Sequence, residues 1–448
     1  MRQGLLGNVP STGASRLRAG SSCSDSRATS GTEIGTETKR LNEVKKMAKY
    51  GSEPTVASGL DQLVAENFAR LRGRRVGLVT HPAAVDARLQ DAAGLFSTAA
   101  DVRLVAIFGP EHGLYGQAQD LESVPEQENA SPVVQSYSLY GNTAASLRPT
   151  PRQLNGMDLL VIDLQDVGSR YYTFQATMKY CLEAAAPLGL PVLVLDRPNP
   201  IGGHLVEGPR LRPGYESFVG CHDLAIRHGL TIGELALIYQ ADLEAAGTPV
   251  DVEVLPCTGW RRTMWFEETG LPWVLPSPNM PTVETAVVYP GQCLFEGTNL
   301  SEGRGTTRPF ELCGAPWLDP LEVANRMNAA ELPGVIFRPA RYRPTFQKHA
   351  GVDCGGVQVH VTDREAFRPV RTSLALLIEM RRLNPDQFAW RTAEYEFVKD
   401  PIAIDLLFGS DRERQAIEAG RPWQEIAAAW GDEEQAFGMR RHHAWLYE

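Results

Sequence analysis

The sequence predicts an α/β protein, with a Rossmann-like parallel sheet domain followed by a smaller α/β (α+β) domain. Two observations support this fold class. Short β-branched apolar segments alternate with helical segments in the first half of the chain, and this pattern ends near residue 284. Alternation of strand and helix is typical of a parallel sheet covered on both faces. A chain of 448 residues also has room for two domains of ordinary size.

Four segments of the first half have the composition of buried parallel strands. They are RVGLVT (Arg75–Thr80), VRLVAIF (Val102–Phe108), DLLVIDL (Asp158–Leu164) and PVLVLD (Pro191–Asp196). A helix is predicted from Thr173 to Gly189, and Thr231 with Glu234 forms a capping box that begins another. These elements predict a Rossmann-like domain over residues 57–283, which is expected to be the catalytic domain.

Polar side chains follow the C-terminal end of each predicted strand. They are His81 after the first strand, Glu111 and His112 after the second, Asp163, Gln165, Asp166 and Arg170 at the third, and Asp196, Arg197 and Asn199 at the fourth. Ligands of open α/β sheets bind outside these strand ends, because the crevice forms there. The sequence therefore predicts a site at this edge of the sheet.

The second half, residues 284–448, is predicted to form the smaller domain. Its first part, from Tyr289 to Trp317, is rich in Gly, Thr, Ser, Glu and Arg and shows no helical or strand period. An ordered, functional loop is expected there, because long irregular segments flanked by aromatic residues are often functional. Shorter units follow: a helix near Asp319–Ala329, strands at GVIFRP and GGVQVHV, a helix at RTSLALLIEMRRL, and a helix from Pro422 with an apolar stripe.

Composition excludes several classes of protein. The net charge of -10 argues against general nucleic-acid binding, and no apolar run is long enough to span a membrane. Neither a dinucleotide fingerprint, a P-loop nor a nucleophile elbow occurs, and the seven scattered cysteines show no zinc spacing, so no cofactor and no metal are expected.

Residues 1–56 have the composition of a disordered segment without a secretory signal, which favours a cytoplasmic protein.

Five stretches of the chain resemble one known family, the exo-β-N-acetylmuramidase (NamZ) family of glycoside hydrolases. They are FGPEHGLYG, DLQDVGSRYYTF, LDRPNPIGG, PSPNMP and FEGTNLSEGRGTTRPFELCGAPW, and the match runs in order from about Gly59 to the C-terminus. The resemblance implies a Rossmann-like domain, a smaller C-terminal domain and an active-site cleft between them. It also implies release of terminal N-acetylmuramic acid from the non-reducing end of peptidoglycan fragments. The family's catalytic glutamate corresponds to Glu111.

Glycoside hydrolysis usually requires two carboxyl groups, one as proton donor and one as nucleophile or base. Glu111 is the candidate general acid. Candidates for the second group are Asp163, Asp166, Glu296 and Glu302, with Glu296 ranked first because it lies between an aromatic residue and a glycine in the irregular segment. Each of these carboxylates is about equally well explained as a structural partner of Arg170 or Arg304. Participation by a substrate group stays open as well.

The lactyl carboxylate of N-acetylmuramic acid requires a cation, for which Arg170, Arg197 and Arg304 are the candidates. Several other polar and aromatic residues are candidates for contact with the sugar, although core packing or turn formation also explains them. They are His81, His112, Tyr171, Tyr172, Trp273, Asn279 and Asn299. The alternative function is a non-catalytic, two-lobed binding protein for cell-wall sugars. A hydrolase of amides or esters is less favoured, because no activated Ser, Cys or metal set is present.

Overall fold

The structure, a computed structural model, describes residues 55–124 and 134–448. The predicted disordered segment, residues 1–56, therefore lies outside the described residues except for its last two positions. A six-stranded parallel sheet occupies the first half of the described chain, and a smaller antiparallel sheet occupies the second. The predicted fold class is confirmed.

The strands of the parallel sheet are β1 (Arg75–Thr80), β2 (Arg103–Gly109), β3 (Gln135–Ser138), β4 (Leu159–Asp163), β5 (Val192–Leu195) and β8 (Val252–Leu255). Their order across the sheet is β3-β2-β1-β4-β5-β8. The chain moves outward from β1 through β2 to β3, and then returns to place β4 on the other side of β1. The strand order therefore reverses between β1 and β4, and this switch point creates a crevice at the C-terminal strand ends.

All four predicted strands are present, within one or two residues of the predicted bounds. Strands β4 and β5 are buried along their whole length, which explains why their sequences are apolar runs without alternation. Five helices belong to the first half: α1 (Gly59–Ala65), α2 (Ala92–Thr98), α3 (Pro151–Leu154), α4 (Phe174–Ala185) and α5 (Ile232–Ala245). The predicted capping box of α5 is formed by Thr231 and Glu234. A short antiparallel pair, β6 (Glu207–Arg210) and β7 (Ala225–Arg227), lies beside them.

The second half contains a three-stranded antiparallel sheet. Its strands are β9 (Leu312–Ala315), β10 (Val335–Tyr342) and β11 (Cys354–Val361), in the order β10-β11-β9. The helices are α6 (Val283–Gln292), α7 (Pro320–Ala329), α8 (Pro369–Leu383), α9 (Ala403–Phe408), α10 (Arg412–Glu418), α11 (Trp423–Ala428) and α12 (Gly431–Arg440). The sheet confirms the smaller α+β unit, while the boundary at residue 284 stays a prediction.

Two local predictions for this half were wrong. The segment from Tyr289 to Trp317 is not irregular throughout: it contains the end of α6, a 3-10 helix (Cys293–Gly297) and strand β9. These helices and the strand were missed because the glycines of the segment and Pro290 weaken the sequence patterns by which helices and strands are identified. The tail after Pro422 forms two helices instead of one, with the break at Trp430.

One large apolar core joins the two sheets. It includes residues of β4 and α4 from the first half and of α8 and α9 from the second. The core therefore fixes the long segment that follows α6 against the ends of the parallel strands. Within the described ranges, no helix is both long enough and apolar enough to cross a membrane.

Candidate active site

A polar pocket lies where segments after β2 and β4 meet the chain that follows α6. Its lining includes Glu111, His112, Asp120, Tyr171, Tyr172, Thr173, Val219, Ser277, Tyr289, Glu296, Arg304, Phe310, Tyr395 and Glu396. Four of these side chains are carboxylates and one is a guanidinium. Such a set suits acid–base chemistry on a polar substrate.

Glu111 lies in a tight turn directly after strand β2. The adjacent His112 and Gly113 both have left-handed backbones, with φ of 71° and 78°. A side chain at Gly113 would come within 2.9 Å of the Val124 side chain, so the turn also depends on the space that glycine leaves. The Glu111 side chain is 5% exposed, and its Oε2 accepts a hydrogen bond from the Thr173 hydroxyl at 2.6 Å. No ion pair of the described residues includes Glu111.

His112 is held as a neutral imidazole. Burial lowers the pKa of His112, although the neighbouring Glu111 acts in the opposite direction. Its Nδ1 lies 2.9 Å from the carbonyl oxygen of Ala118, which only accepts, so Nδ1 carries the proton. The Nε2 atom is then an acceptor, which suits contact with a sugar hydroxyl.

Glu296 lies in the 3-10 helix after α6 and is bound as an anion. Its Oε1 accepts from the Arg304 guanidinium at 2.7 Å, and its Oε2 accepts from the Tyr395 hydroxyl at 2.6 Å. Burial favours the neutral acid, but Arg304 and then Tyr395 outweigh it and hold the pKa of Glu296 below its usual value. Glu296 is therefore the ionised carboxylate of the pocket.

Arg304 is surrounded by three carboxylates. Besides Glu296, Asp120 lies 3.2 Å from its Nη1 and Glu302 lies 3.6 Å from its Nε. Lys348 lies 2.8 Å from Glu302 and supplies a second cation. Burial raises the pKa of Asp120 to about 6, while Arg304 opposes this shift. The cluster thus carries more carboxylates than cations.

Glu396 occupies the tip of a tight turn and was not singled out by the sequence. The backbones of Tyr395 and Val398 exchange hydrogen bonds at 2.9 and 3.0 Å across this turn. Between them Glu396 and Phe397 have φ of 48° and 66°, a left-handed pair for which Asn-Gly is the usual sequence. Glu396 is 6% exposed, and the Tyr140 hydroxyl lies 3.2 and 3.0 Å from its two carboxyl oxygens.

Asp163 and Arg197, predicted as catalytic and substrate-binding residues, lie outside this pocket and pair with each other. The Nη2 of Arg197 lies 2.8 Å from Asp163, and Nε donates to the same carboxylate at 2.5 Å. Asp163 is fully buried at the end of β4, and Arg197 also donates to the Val85 carbonyl. Their placement differs from the prediction because ends of adjacent strands lie close enough for their side chains to pair directly.

Arg170 is likewise remote from the pocket lining. Its guanidinium is fully buried and donates to the carbonyl oxygens of Pro209, Leu224 and Leu407 at 2.6 to 2.9 Å. These bonds leave little capacity for a substrate carboxylate. Of the three arginines considered for the lactyl group, the structure brings Arg304 to the pocket.

The remaining predicted residues divide between the pocket and its supports. Tyr171 and Tyr172 line the pocket, whereas Asn279 donates to Gln119 at 2.8 Å and Glu302 binds Lys348 behind Arg304. Four further candidates are not part of the lining. His81 accepts a hydrogen bond from the Gln165 backbone, and Asp166 accepts one from the Gly168 backbone. Asn299 forms hydrogen bonds with the backbones of Gln387 and Ala389, and Trp273 lies in a separate cavity with Arg197.

Sequence analysis did not identify Asp120, Thr173, Tyr395 or Glu396 as functional. Asp120 closely follows the Glu111 motif, and Thr173 lies within the stretch DLQDVGSRYYTF, so proximity to a motif was an available signal. Tyr395 and Glu396 lie in the stretch EYEF, far from every predicted strand end and from the motifs above, and offered no such signal. Among the described residues, no group of three or more His, Cys, Asp or Glu is arranged to hold a metal ion.

Two family models match the chain. The N-terminal model of the exo-β-N-acetylmuramidase NamZ matches residues 76–284, and the C-terminal model matches residues 287–447. A curated relative, the peptidoglycan β-N-acetylmuramidase NamZ of Bacillus subtilis (strain 168), is 43% identical over 395 residues, which cover 88% of this chain and 92% of the relative.

Two solved structures are similar to the present one, and both are DUF1343 family proteins from Bacteroides fragilis NCTC 9343. One has a TM-score of 0.79 with 33% identity, over 89% of this chain and 100% of its own. The other has a TM-score of 0.68 with 29% identity, over 88% of this chain and 99% of its own. These similarities extend over both sheets.

Proposed function

The chain belongs to the exo-β-N-acetylmuramidase NamZ family and is a glycosidase; on that premise we propose that it releases N-acetylmuramic acid from the non-reducing ends of peptidoglycan fragments. Support for this substrate comes from the curated relative, whose name specifies peptidoglycan and β-N-acetylmuramidase activity. Family membership also decides against the alternative of a non-catalytic binding protein.

The observation that carries the mechanism is the contrast between two buried carboxyl groups in one pocket. Glu296 is held as an anion by Arg304 and Tyr395. Glu111 instead contacts the neutral hydroxyl of Thr173 and has no cation among its hydrogen-bond partners in the described chain. A glycosidase uses one acid and one anion, and this difference in partners is the reason for proposing Glu111 as the acid and Glu296 as the anion.

In the proposed reaction Glu111 is the proton donor. It transfers its proton to the glycosidic oxygen while the bond from C1 to that oxygen breaks, and the bonding electrons remain on the departing oxygen. Water supplies the hydroxyl that bonds to C1, and its other proton passes to the protein. Glu296, which stays ionised, stabilises the positive charge that develops at C1 and the ring oxygen.

The pocket also provides groups that bind a sugar. The Nε2 acceptor of His112 suits a hydroxyl hydrogen, and the rings of Tyr171 and Tyr172 line the same space. Arg304 is the candidate cation for the lactyl carboxylate, although its three carboxylate partners already neutralise it. An anionic substrate must therefore replace one of these partners or bind through neutral donors.

The test compares two substrates whose leaving groups differ in basicity. One is para-nitrophenyl β-N-acetylmuramide, whose leaving group departs with little need for protonation, and the other is the β-linked disaccharide of N-acetylmuramic acid and N-acetylglucosamine. Glu111→Gln is expected to lower kcat/KM on the disaccharide about 10³-fold, and much less on the nitrophenyl substrate. Binding of free N-acetylmuramic acid should persist.

The matched control is Glu394→Gln, because Glu394 is exposed and lies outside the pocket lining. This variant should hydrolyse both substrates as the wild type does. If Glu111→Gln lowered kcat/KM equally on both substrates, Glu111 would not be the general acid. No hydrolysis of either substrate by folded wild type, together with hydrolysis of the matching N-acetylglucosaminide, would overturn the proposed substrate.

A further inference from the structure

Asp120 lies in a cradle formed by two donors from the second half of the chain. Its Oδ1 lies 3.2 Å from Nη1 of Arg304 and accepts a hydrogen bond from the side-chain amide of Gln347 at 2.9 Å. A guanidinium and an amide nitrogen that converge on one carboxylate oxygen form a site for an anion. The Nε of Arg304 has no hydrogen-bond partner among the described residues, so this guanidinium has donor capacity left for a second carboxylate oxygen.

The loop between β10 and β11 holds Gln347 at this position. The backbone N–H and the hydroxyl of Thr345 both donate to the carbonyl oxygen of Gly305, the residue after Arg304, at 2.9 Å. Gln347 itself has a left-handed backbone with φ of 65°, which is uncommon for a residue other than glycine and is often retained at functional sites. The loop therefore fixes an exposed amide donor beside the buried guanidinium.

Of the three carboxylates around Arg304, Asp120 is the one that can leave without disturbing the others. Glu296 accepts a second hydrogen bond from a tyrosine hydroxyl at 2.6 Å, and Glu302 pairs with a lysine at 2.8 Å. Both lie on the segment after α6 that also contains Arg304, whereas Asp120 comes from the segment after β2. The Asp120 side chain is 11% exposed, against 7% for Glu296 and 2% for Glu302.

The charge of Asp120 is also poorly stabilised in the cradle. Burial raises the pKa of Asp120 to about 6 although Arg304 acts in the opposite direction, and the nearby glutamates add to the rise. A free carboxyl group next to an electron-withdrawing oxygen or nitrogen has a pKa of about 3–4. A lactyl carboxylate therefore keeps its charge at a pH where Asp120 already takes up a proton.

We propose that the lactyl carboxylate of N-acetylmuramic acid displaces Asp120 and binds to the same two donors, Arg304 and Gln347. Asp120 holds the guanidinium in place before the sugar binds, and the substrate carboxylate then takes over its contacts. A sugar without a carboxylate leaves Asp120 in the cradle and gains neither donor, so the exchange selects N-acetylmuramic acid over N-acetylglucosamine. This inference rests on the proposed function, because it presumes that N-acetylmuramic acid is the substrate.

The test compares the dissociation constants of N-acetylmuramic acid and its methyl ester, which has the same sugar and lactyl group without the charge. Calorimetry at about pH 7.5 measures both while Asp120 is mostly ionised. Asp120→Ala removes the competing carboxylate, so the acid should bind about tenfold more tightly and the ester should stay within about threefold of the wild type. Asp120→Asn, which keeps the volume, should show the same tightening if Asp120→Ala does not fold. Asp386→Ala, at an exposed aspartate outside the pocket lining, should reproduce the wild-type constants.

Gln347→Ala provides the second test, because an exchange at one site makes its effect depend on Asp120. In the wild-type background the change weakens the contacts of Asp120 and of the substrate alike, so the dissociation constant of the acid should move by less than about threefold. In the Asp120→Ala background it should rise about tenfold, since a donor to a charged group is then lost from the complex alone. Gln424→Ala, at an exposed glutamine of α11, is the control in both backgrounds.

Two results would overturn the exchange. One is that the acid binds no more tightly to the folded Asp120 variants than to the wild type, and the other is that Gln347→Ala has equal effects in both backgrounds. Hydrolysis by the wild type separates this failure from failure of the proposed function. If the exchange is wrong, the wild type still cleaves the muramide, whereas a folded wild type that does not cleave it contradicts the proposed function itself.

Discussion

The Arg304 guanidinium lies 2.7 Å from one carboxylate oxygen of Glu296, in a pocket where both side chains are less than a tenth exposed. This pair fixes the charge state of the candidate active site, because an anion at Glu296 is stable there only beside a cation. Tyr395 adds a hydroxyl donor at 2.6 Å on the other oxygen. The two contacts connect the segment after α6 with the turn that contains Glu396.

Tyr395→Phe should shift the acidic limb of the pH profile. The hydroxyl donates to the charged form of Glu296, so its removal raises the pKa of that carboxyl, by about one unit if the bond contributes roughly 1.5 kcal/mol. Glu296 then becomes ionised only at higher pH, and the limb where activity rises with pH should move upward by that amount. The profile of kcat/KM on the disaccharide measures this shift. A profile with an unchanged acidic limb would exclude Glu296 as the group that titrates there.

Asp163→Asn should lower stability while leaving the chemistry intact. Arg197 is 5% exposed, and the change would remove its carboxylate partner and leave a buried cation with the Val85 carbonyl. Breaking a buried ion pair from one side typically costs about 3–5 kcal/mol of unfolding free energy. Urea unfolding measures this loss, and kcat per folded molecule should stay within about threefold of the wild type, since neither residue lines the pocket.

The double variant Asp163→Asn with Arg197→Met is the control for Asp163→Asn. Removal of the stranded cation should restore part of the lost stability. A fall of more than about 100-fold in kcat with stability unchanged would instead return Asp163 to the catalytic machinery.

Of the polar residues predicted at the strand ends, the structure brings only some into the polar pocket. Glu111 and His112 reach the pocket because their turn projects from β2, whereas Asp163 and Arg197 end adjacent strands and neutralise each other. Sequence spacing does not distinguish these outcomes, since it leaves the contacts between neighbouring strand ends undetermined. Glu396 was not predictable for a related reason: its turn lies in the other half of the chain from Glu111, and only the tertiary fold brings the two together.

Gly297→Ala should disturb the site through packing. Gly297 ends the 3-10 helix that contains Glu296, and a Cβ there would come within 2.7 Å of the Ile404 Cα in helix α9. The nearest atom belongs to the backbone of α9, which cannot rotate away as a side chain can, so one element must move at a cost of about 1–3 kcal/mol. Displacement of Glu296 should also lower kcat/KM.

Gly438→Ala is the matched control for this packing effect. Gly438 lies in helix α12, where an added Cβ would meet open space among the described residues. Alanine there should raise helix stability by about 0.5–1 kcal/mol, and thermal unfolding of the two variants should therefore shift in opposite directions. Equal stability of both variants would show that the contact between the 3-10 helix and α9 is loosely packed.

Asp120→Asn should change how stability depends on pH. Burial raises the pKa of Asp120 from 3.8 to about 6 in the folded protein, so between these values the folded chain holds a proton that the unfolded chain has lost. Stability from this group is therefore greatest at low pH and declines as the pH rises toward 6. Asparagine does not titrate, so the unfolding free energy of the wild type should fall relative to the variant by on the order of 1–3 kcal/mol across this window.

Urea unfolding at about pH 3.5, 5 and 6.5, which spans this window, measures that difference. The control is Asp386→Asn, at an exposed aspartate. The control should run parallel to the wild type. The opposite result is that the wild type gains stability relative to Asp120→Asn as the pH rises. It would mean that Arg304, 3.2 Å away, lowers the pKa of Asp120 more than burial raises it. Asp120 would then be a permanent anion of the cluster. In that case an incoming substrate carboxylate would have to compete with a full charge for Arg304, and the pocket would favour neutral contacts to the lactyl group.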